Sequence, residues 1–234
     1  MGPVPVRYGY ATFEEFLPEP FPMQKVAVED MQKVATALAF QINLAQEFRV
    51  PAGLAMNPMR IRKPHLYPVP HSPLFDFERS AAGAEWIDDL AGLALRVRDQ
   101  HSPDRVVMAH MDWCARNLRL GESGLLAVYD MDSLAVVPET TAVGQAAASW
   151  RLVLEDDDEI HPSLDELLTY IDQYQAARGS RFSEQEKVAA IAARLWLIAY
   201  TARCEHCGNP DGSSAIPRLR RDGALFKNIL TAYV

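Results

Sequence analysis

The hydrophobic period of this chain changes between residues 105 and 130, and that change limits the folds open to it. On either side the apolar residues recur at helical spacing. Met31, Val34, Ala35, Leu38, Ile42 and Ala45 mark an amphipathic helix over about 26–48. Trp86, Leu90, Leu93, Ala94 and Val97 mark a second, over about 81–100. Between 105 and 130 the pattern is that of strands. Arg105 to Ala109 reads as a short buried strand, Leu118 to Leu120 as another and Leu125 to Tyr129 as a third. Gly121-Glu122-Ser123-Gly124 supplies the tight turn that makes a hairpin of the last two. Beyond Asp130 we expect a loop to about Thr141, then a helix through Trp150. Ser163 with Glu166, and Ser183 with Glu186, have the spacing of capping boxes. The second opens a helix to about Cys204 that buries Val188, Ile191, Ala192, Leu195, Ile198 and Ala199. The expected class is α+β, predominantly helical, with a small β-hairpin set among the helices.

Proline divides the remainder. Val4 to Phe16 is rich in aromatic and β-branched residues and reads as one strand, ending at Leu17-Pro18-Glu19-Pro20-Phe21-Pro22, which can continue neither a helix nor a central strand. Arg49 to Pro73, with six prolines and little periodicity, reads as a long irregular connection.

Charge and composition exclude several classes. A net charge of -8 argues against a general nucleic-acid binder. No stretch reaches the roughly 20 apolar residues that span a membrane, and no signal peptide is legible at the start, so a cytoplasmic location is the default expectation. Cys114, Cys204 and Cys207 are too few for a disulfide framework. Cys204-Glu205-His206-Cys207 lacks a second cluster to complete a zinc site. His65, His71 and His161, in proline-containing loops, read as surface residues, Trp150, Trp196 and Tyr200 as core, and Glu155 to Glu159 as a solvated acidic loop.

The chemistry concentrates in the strand region. Asp112 and Asn117 bracket the loop after the first strand, and Asp130 ends the third. Closing the hairpin brings Asp130 alongside Asn117. Phosphoryl transfer needs such a set. The triphosphate oxygens repel an incoming nucleophile until magnesium neutralises them, and magnesium takes hard oxygen ligands such as a carboxylate and an amide carbonyl. A separate carboxylate then orients the acceptor hydroxyl and takes its proton. The plainer alternative makes Asp112 and Asn117 ordinary loop residues and Asp130 a turn cap. Arg116 is open to two readings, a phosphate contact or an exposed loop arginine, and Cys114 has no adjacent base to make it a nucleophile.

His110-Met111-Asp112-Trp113-Cys114-Ala115-Arg116-Asn117, followed by Val128-Tyr129-Asp130-Met131-Asp132, resembles the catalytic segment of the aminoglycoside phosphotransferase and choline kinase group, relatives of the protein kinases. That pattern is His-Gly-Asp-x-x-x-x-Asn, then a hydrophobic strand ending in Ile-Asp-x-Asp. The resemblance implies the C-terminal lobe of a protein-kinase-like fold, with Asp112 as catalytic base, Asn117 and Asp130 as magnesium ligands and contacts to the ATP phosphates, Asp132 as a weaker metal candidate, and His110 as a structural residue. It implies ATP as donor and a small-molecule hydroxyl as acceptor; the charge and the absence of a long apolar stretch lead us to expect neither a nucleic-acid nor a membrane partner. Met111 departs from the usual Gly, and Thr140 to Gln145 lacks the Asp that often braces the loop. No glycine-rich phosphate loop or strand lysine is found, so residues 1–22 read as a remnant strand and hinge (Phe13 to Leu17) of a missing lobe, and residues 23–234 as the helical lobe. A partner chain or dimer covering that lobe, weak activity of the chain alone, and a non-catalytic binding or assembly module are the associated expectations.

Overall fold

The computed structural model describes residues 4–7, 9–11, 27–48, 61, 64–70, 72–102, 105–121, 124–152 and 161–234. The hinge expected at Phe13 to Leu17, His71 and the acidic run at Glu155 to Glu159 lie outside the described residues.

Two three-residue strands, β1 (Val4–Val6) and β2 (Gly9–Ala11), pair antiparallel with Val4 opposite Ala11. Within the single strand expected over Val4 to Phe16, residues 4–6 and 9–11 are two paired strands, so the chain reverses between Val6 and Gly9; residues 12–16 lie outside the described residues. Pro5, with no amide hydrogen to donate, is tolerated in this two-stranded ladder as it would not be in a central strand.

Helix α1 (Met31–Ala45) buries the predicted stripe, and α2 (Glu85–His101) follows the expected span within a few residues. Strand β3 (Val106–His110) comes next, then β4 (Leu118–Gly121) and β5 (Gly124–Val128), which pair as the predicted hairpin. The stretch after Asp130 corrects the expected loop. Leu134–Pro138 is a strand, β6, antiparallel to β3 with Met108 opposite Val136. The β-branched run Val136-Val137 was the available signal, and Ala135 and Val137 are the residues that turn inward.

Helix α3 (Glu139–Ser149) starts directly at Pro138, then come α4 (Leu164–Arg178), α5 (Glu184–Gly208) and α6 (Ala215–Thr231). Both capping boxes are present: Ser163 and Ser183 accept from the amides of Glu166 and Glu186, whose carboxylates accept in return from the cap amides. The sequence reading carries no element beyond about Cys204. Helix α6 has the right period in Ile216, Leu219, Phe226 and Leu230, diluted by arginines at 218, 220 and 221.

Helix α5 is the axis of the molecule. It is buried nearly all round, as a helix must be when α2, α3 and α6 all pack on it. Its alanines at 189, 190, 192, 193, 199 and 202 let those helices approach closely. At the closest crossing α3 presents Gly144; a Cβ there would run into the carbonyl oxygen of Ala190 and the Cβ of Ala193. Burial also reaches charged groups, each of which finds a partner. Glu139, fully buried at the start of α3, accepts from Arg178 at 2.8 Å, Tyr174 at 2.6 Å and Arg105 at 3.3 Å, joining α3, α4 and the entrance to β3. Arg194 donates to the Pro162 carbonyl and lies over the Phe226 ring.

Glu205 closes the base of the molecule. Its carboxylate accepts from the backbone amides of Ser214, Ala215 and Ile216 and from the Ser214 hydroxyl at 2.7 Å, satisfying the first amides of α6. Burial alone would push this carboxyl up, but the hydrogen bonds outweigh it and hold it below the usual carboxylate range. A folded-state pKa below the unfolded one adds stability above the unfolded value, lost as pH falls through the folded value. Glu205→Ala should cost about 1–2 kcal/mol at neutral pH, the range for a lost N-terminal cap. Urea melts at several pH values should show the gap to the parent protein closing below pH of about 4. Gly144→Ala should cost about 1–3 kcal/mol by overpacking α3 against α5, read in the same melts.

Candidate active site

Three pieces of backbone meet where β3 and β5 end and β4 begins. The His110–Asn117 loop leaves β3, turns at Met111 and Asp112, and re-enters as a 3-10 turn (Ala115–Asn117) that runs into β4. The Met111 amide donates to the Ser133 carbonyl at 2.9 Å, so the loop begins one step beyond the β3–β6 ladder. The Tyr129 amide donates to the Asn117 carbonyl at 2.8 Å, one step beyond the β4–β5 ladder. That bond places Asp130 next to Asn117, the juxtaposition the hairpin pattern predicts.

His110 is buried, and its Nε2 lies 2.9 Å from the Tyr129 carbonyl. A carbonyl only accepts, so Nε2 carries the proton and ties the start of the loop to the residue before Asp130. Gln41 of α1 holds the same corner from below: its amide accepts from the His110 backbone at 3.2 Å and donates to the Met108 carbonyl at 3.3 Å. Trp113 is buried beneath the loop, and its indole donates to the Val34 carbonyl of α1. Met111, in place of a glycine, rests partly buried against the core.

The brace that Thr140 to Gln145 cannot provide comes from the other end of α3. The Ala115 amide donates to the Trp150 carbonyl at 3.1 Å, the Arg116 amide to the Leu152 carbonyl at 3.0 Å, and the Ser149 hydroxyl to the Trp113 carbonyl at 3.3 Å. Carbonyls at and beyond a helix C-terminus have no partner within the helix, and here the loop supplies one. No sequence motif announces this. Gln41 and Ser149 were missed because each acts through one atom on a backbone distant in sequence.

Within the loop the polar groups converge on one carboxylate oxygen. Asp112 Oδ2 accepts from Asn117 Nδ2 at 2.9 Å and from Arg116 Nη2 at 2.9 Å. Asn117 Nδ2 also donates to the Asp112 carbonyl at 2.9 Å. Among the described residues Oδ1 has one partner, the Cys114 thiol at 3.7 Å. Burial pushes the Asp112 carboxyl up, but the hydrogen bond and charge of Arg116, with help from Asn117, more than reverse this and leave it below its ordinary value. Asp112 is thus held ionised with Oδ1 available. Cys114 is buried, and burial together with the Asp112 charge pushes its thiol up to about 12, which removes it as a nucleophile.

Asp130 is exposed and takes a left-handed backbone, φ 60° and ψ 45°, unique among the described non-glycine residues. Aspartate tolerates this conformation better than most residues, and strained conformations of this kind gather at functional sites. The carboxyl of Asp130 is raised above its usual value, first by its hydrogen bond to Asp132 and further by burial and by the charges of Asp132 and Asp112. Asp130 thus feels the charges of Asp132 and Asp112, and among the described residues Arg116 is the one cation paired with any of the three.

That donor set fits a hard divalent cation. Asp130 has unneutralised oxygens, and Asn117, whose nitrogen is spent on Asp112, keeps a carbonyl oxygen that accepts nothing from the described residues. Among the described residues no three His, Cys, Asp or Glu side chains converge as a closed metal site. A site with two protein ligands completed by phosphate oxygens and water is of the other kind. Cys204 is buried and Cys207 packs on Ser80 and Arg203, as expected of thiols ending a helix. His65 is exposed, whereas His161 is not the surface residue expected: both ring nitrogens are buried, and burial lowers its pKa to about 4. A cleft of about 450 Å³ beside Phe75, Thr201 and Cys204, and one of about 410 Å³ beside Trp86 and Lys227, are lined by none of Asp112, Asn117, Asp130 and Asp132.

If Asp130 and Asn117 hold the cation, manganese used as a paramagnetic probe should broaden the amide signals of residues 117 and 130. Asp130→Asn keeps the turn and removes the charge. It should weaken binding by more than about tenfold, since even outer-shell losses cost 10–100-fold; unchanged broadening would take Asp130 out of the site. No protein-family model matches the chain, and no curated protein matches it.

Proposed function

We propose that this chain is the catalytic lobe of a kinase-like phosphotransferase that moves the γ-phosphoryl group of ATP to a hydroxyl of a small molecule. The observation that carries this is the shared anchoring of Asp112, Asn117 and Asp130: the Asn117 side chain clamps Asp112, while its backbone pairs with the residue before Asp130. One carboxylate held ionised with a free oxygen, beside an exposed carboxylate and a free amide carbonyl, is the division of labour this reaction needs.

Asn117 Oδ1 and the Asp130 carboxylate are the atoms to hold magnesium, with Asp132 in support. Magnesium bound there supplies the positive charge that offsets the phosphate oxygens. Asp112 Oδ1 accepts the proton of the acceptor hydroxyl as its oxygen forms a bond to the γ-phosphorus. The bond from that phosphorus to the bridging oxygen breaks, and ADP leaves with the electron pair. His110, Gln41 and Trp113 touch no reacting atom. They hold the loop against α1 and β5, so that Asp112 and Asp130 keep their separation as substrates come and go. Among the described residues no helix is long and apolar enough to cross a membrane.

A panel of hydroxylated metabolites and antibiotics, assayed with ATP and magnesium for ADP release, tests the reading. With an acceptor in hand, Asp112→Ala should lower kcat by at least about 10²-fold, the lower end of a general-base contribution. Calorimetric ATP affinity should stay the same. Retained turnover in that variant would remove Asp112 from the role of base.

A further inference from the structure

We propose that Arg116 binds the terminal phosphoryl group of the donor, exchanging its bond to Asp112 for phosphoryl oxygens when the nucleotide arrives. This rests on the phosphotransfer reading above. Asp112, Asp130 and Asp132 bring three carboxylates to the site, and among the described residues Arg116 is the one cation paired with any of them. A triphosphate entering that space needs positive charge beyond a metal held at Asn117 and Asp130, and it needs it on the side facing Asp112, where the acceptor hydroxyl also sits.

Arg116 is placed to supply it. Its backbone is fixed by the hydrogen bond from its amide to the Leu152 carbonyl, and it directly precedes Asn117, so base, cation and metal ligand lie within six consecutive residues. Its side chain is 39% exposed and that of Asp112 is 32% exposed, so water screens the pair and the guanidinium is free to trade partners. A guanidinium carries five N–H donors, of which one is used on Asp112 Oδ2. The remaining planar donors match two oxygens of a phosphoryl group, whose negative charge is spread over three equatorial oxygens during transfer. The exchange changes no bond of the arginine and moves no proton: Arg116 stays a cation throughout, and the proton of the acceptor still goes to Asp112.

A purely structural Arg116 would brace Asp112 and leave nucleotide preference untouched. The two roles separate in calorimetric titrations of the full chain with ATP or ADP, magnesium present throughout. The parent protein should bind ATP about 10- to 100-fold more tightly than ADP, the worth of one charge-assisted hydrogen bond pair. Arg116→Gln should erase that preference with ADP affinity unchanged, and Arg116→Lys should restore part of it. Asp112→Asn, which releases the guanidinium from its partner, should keep or increase it. Circular dichroism melts check that the variants fold, as the exposure of the pair leads us to expect. If Arg116→Gln keeps the parent's ATP-to-ADP ratio, or the parent binds both nucleotides equally, the assignment of Arg116 is wrong and the phosphotransfer reading stands. If the parent binds neither nucleotide, that reading falls and this inference with it.

Discussion

The indole of Trp113 sits under the loop that carries the candidate chemistry, and most of the site geometry is referred to it. The loop has no ladder of its own between β3 and β4, so its shape has to be imposed from outside. Trp113 is buried, donates to the Val34 carbonyl in α1, and meets the His110 ring edge-on at 5.9 Å. Its own carbonyl accepts from Ser149 at the end of α3. A residue tied to one helix by its side chain and to another by its carbonyl leaves the preceding residue little freedom, and the preceding residue is Asp112. The neighbouring amides of Ala115 and Arg116 then dock on the Trp150 and Leu152 carbonyls, which fixes the direction in which the loop returns.

This arrangement requires α1 and α3 to hold their places: α1 packs on α4 and β3, and α3 lies against α4 and α5. Helix α3 buries ten consecutive residues, Glu139 to Ala148, because it lies between the strands, α4 and α5. Small residues at the α3–α5 crossing set the distance, and the buried Glu139 with Arg178, Tyr174 and Arg105 sets the height of α3 against β3. A buried carboxylate with one cation removed would be costly, whereas with two cations and a phenol it is fully satisfied. The strands and the end of α3 thus reach the loop at a fixed separation, although they touch it through few atoms.

Electrostatics gives the site its character. The scaffold surrounds its buried Glu139 with Arg178, Arg105 and Tyr174, while around Asp130 negative charge is in excess, visible in its raised carboxyl. Excess charge of this kind lowers stability unless a ligand relieves it, which is why perturbed groups in a shared space point toward binding. The left-handed turn at Asp130 has the same sense: the backbone adopts a less favoured shape that brings its carboxylate beside Asp132 and Ser133.

Local pattern was enough to read the helices α1, α2, α4 and α5, both capping boxes, the β4–β5 hairpin, and the adjacency of Asn117 and Asp130. Each depends on residues a few positions apart, or on a tight turn that folds one short segment onto the next. Strand β6 was not legible: a five-residue strand whose partner lies more than twenty positions earlier leaves only a weak β-branched signal, and its inward residues are small. The two short strands at the N-terminus were merged into one for the same reason, since three-residue elements are shorter than any period. The pairing of Arg116 with Asp112, the reach of Gln41 to His110, the docking of the loop on the end of α3, and the burial of His161 came only with the tertiary structure. These are contacts of single side-chain or carbonyl atoms across long sequence separations, and nothing in composition or spacing records which distant backbone a polar atom will meet. The sequence thus places the candidate site in eight consecutive residues and one downstream aspartate, and packing decides how they are held and which oxygen of Asp112 the Arg116 and Asn117 side chains occupy.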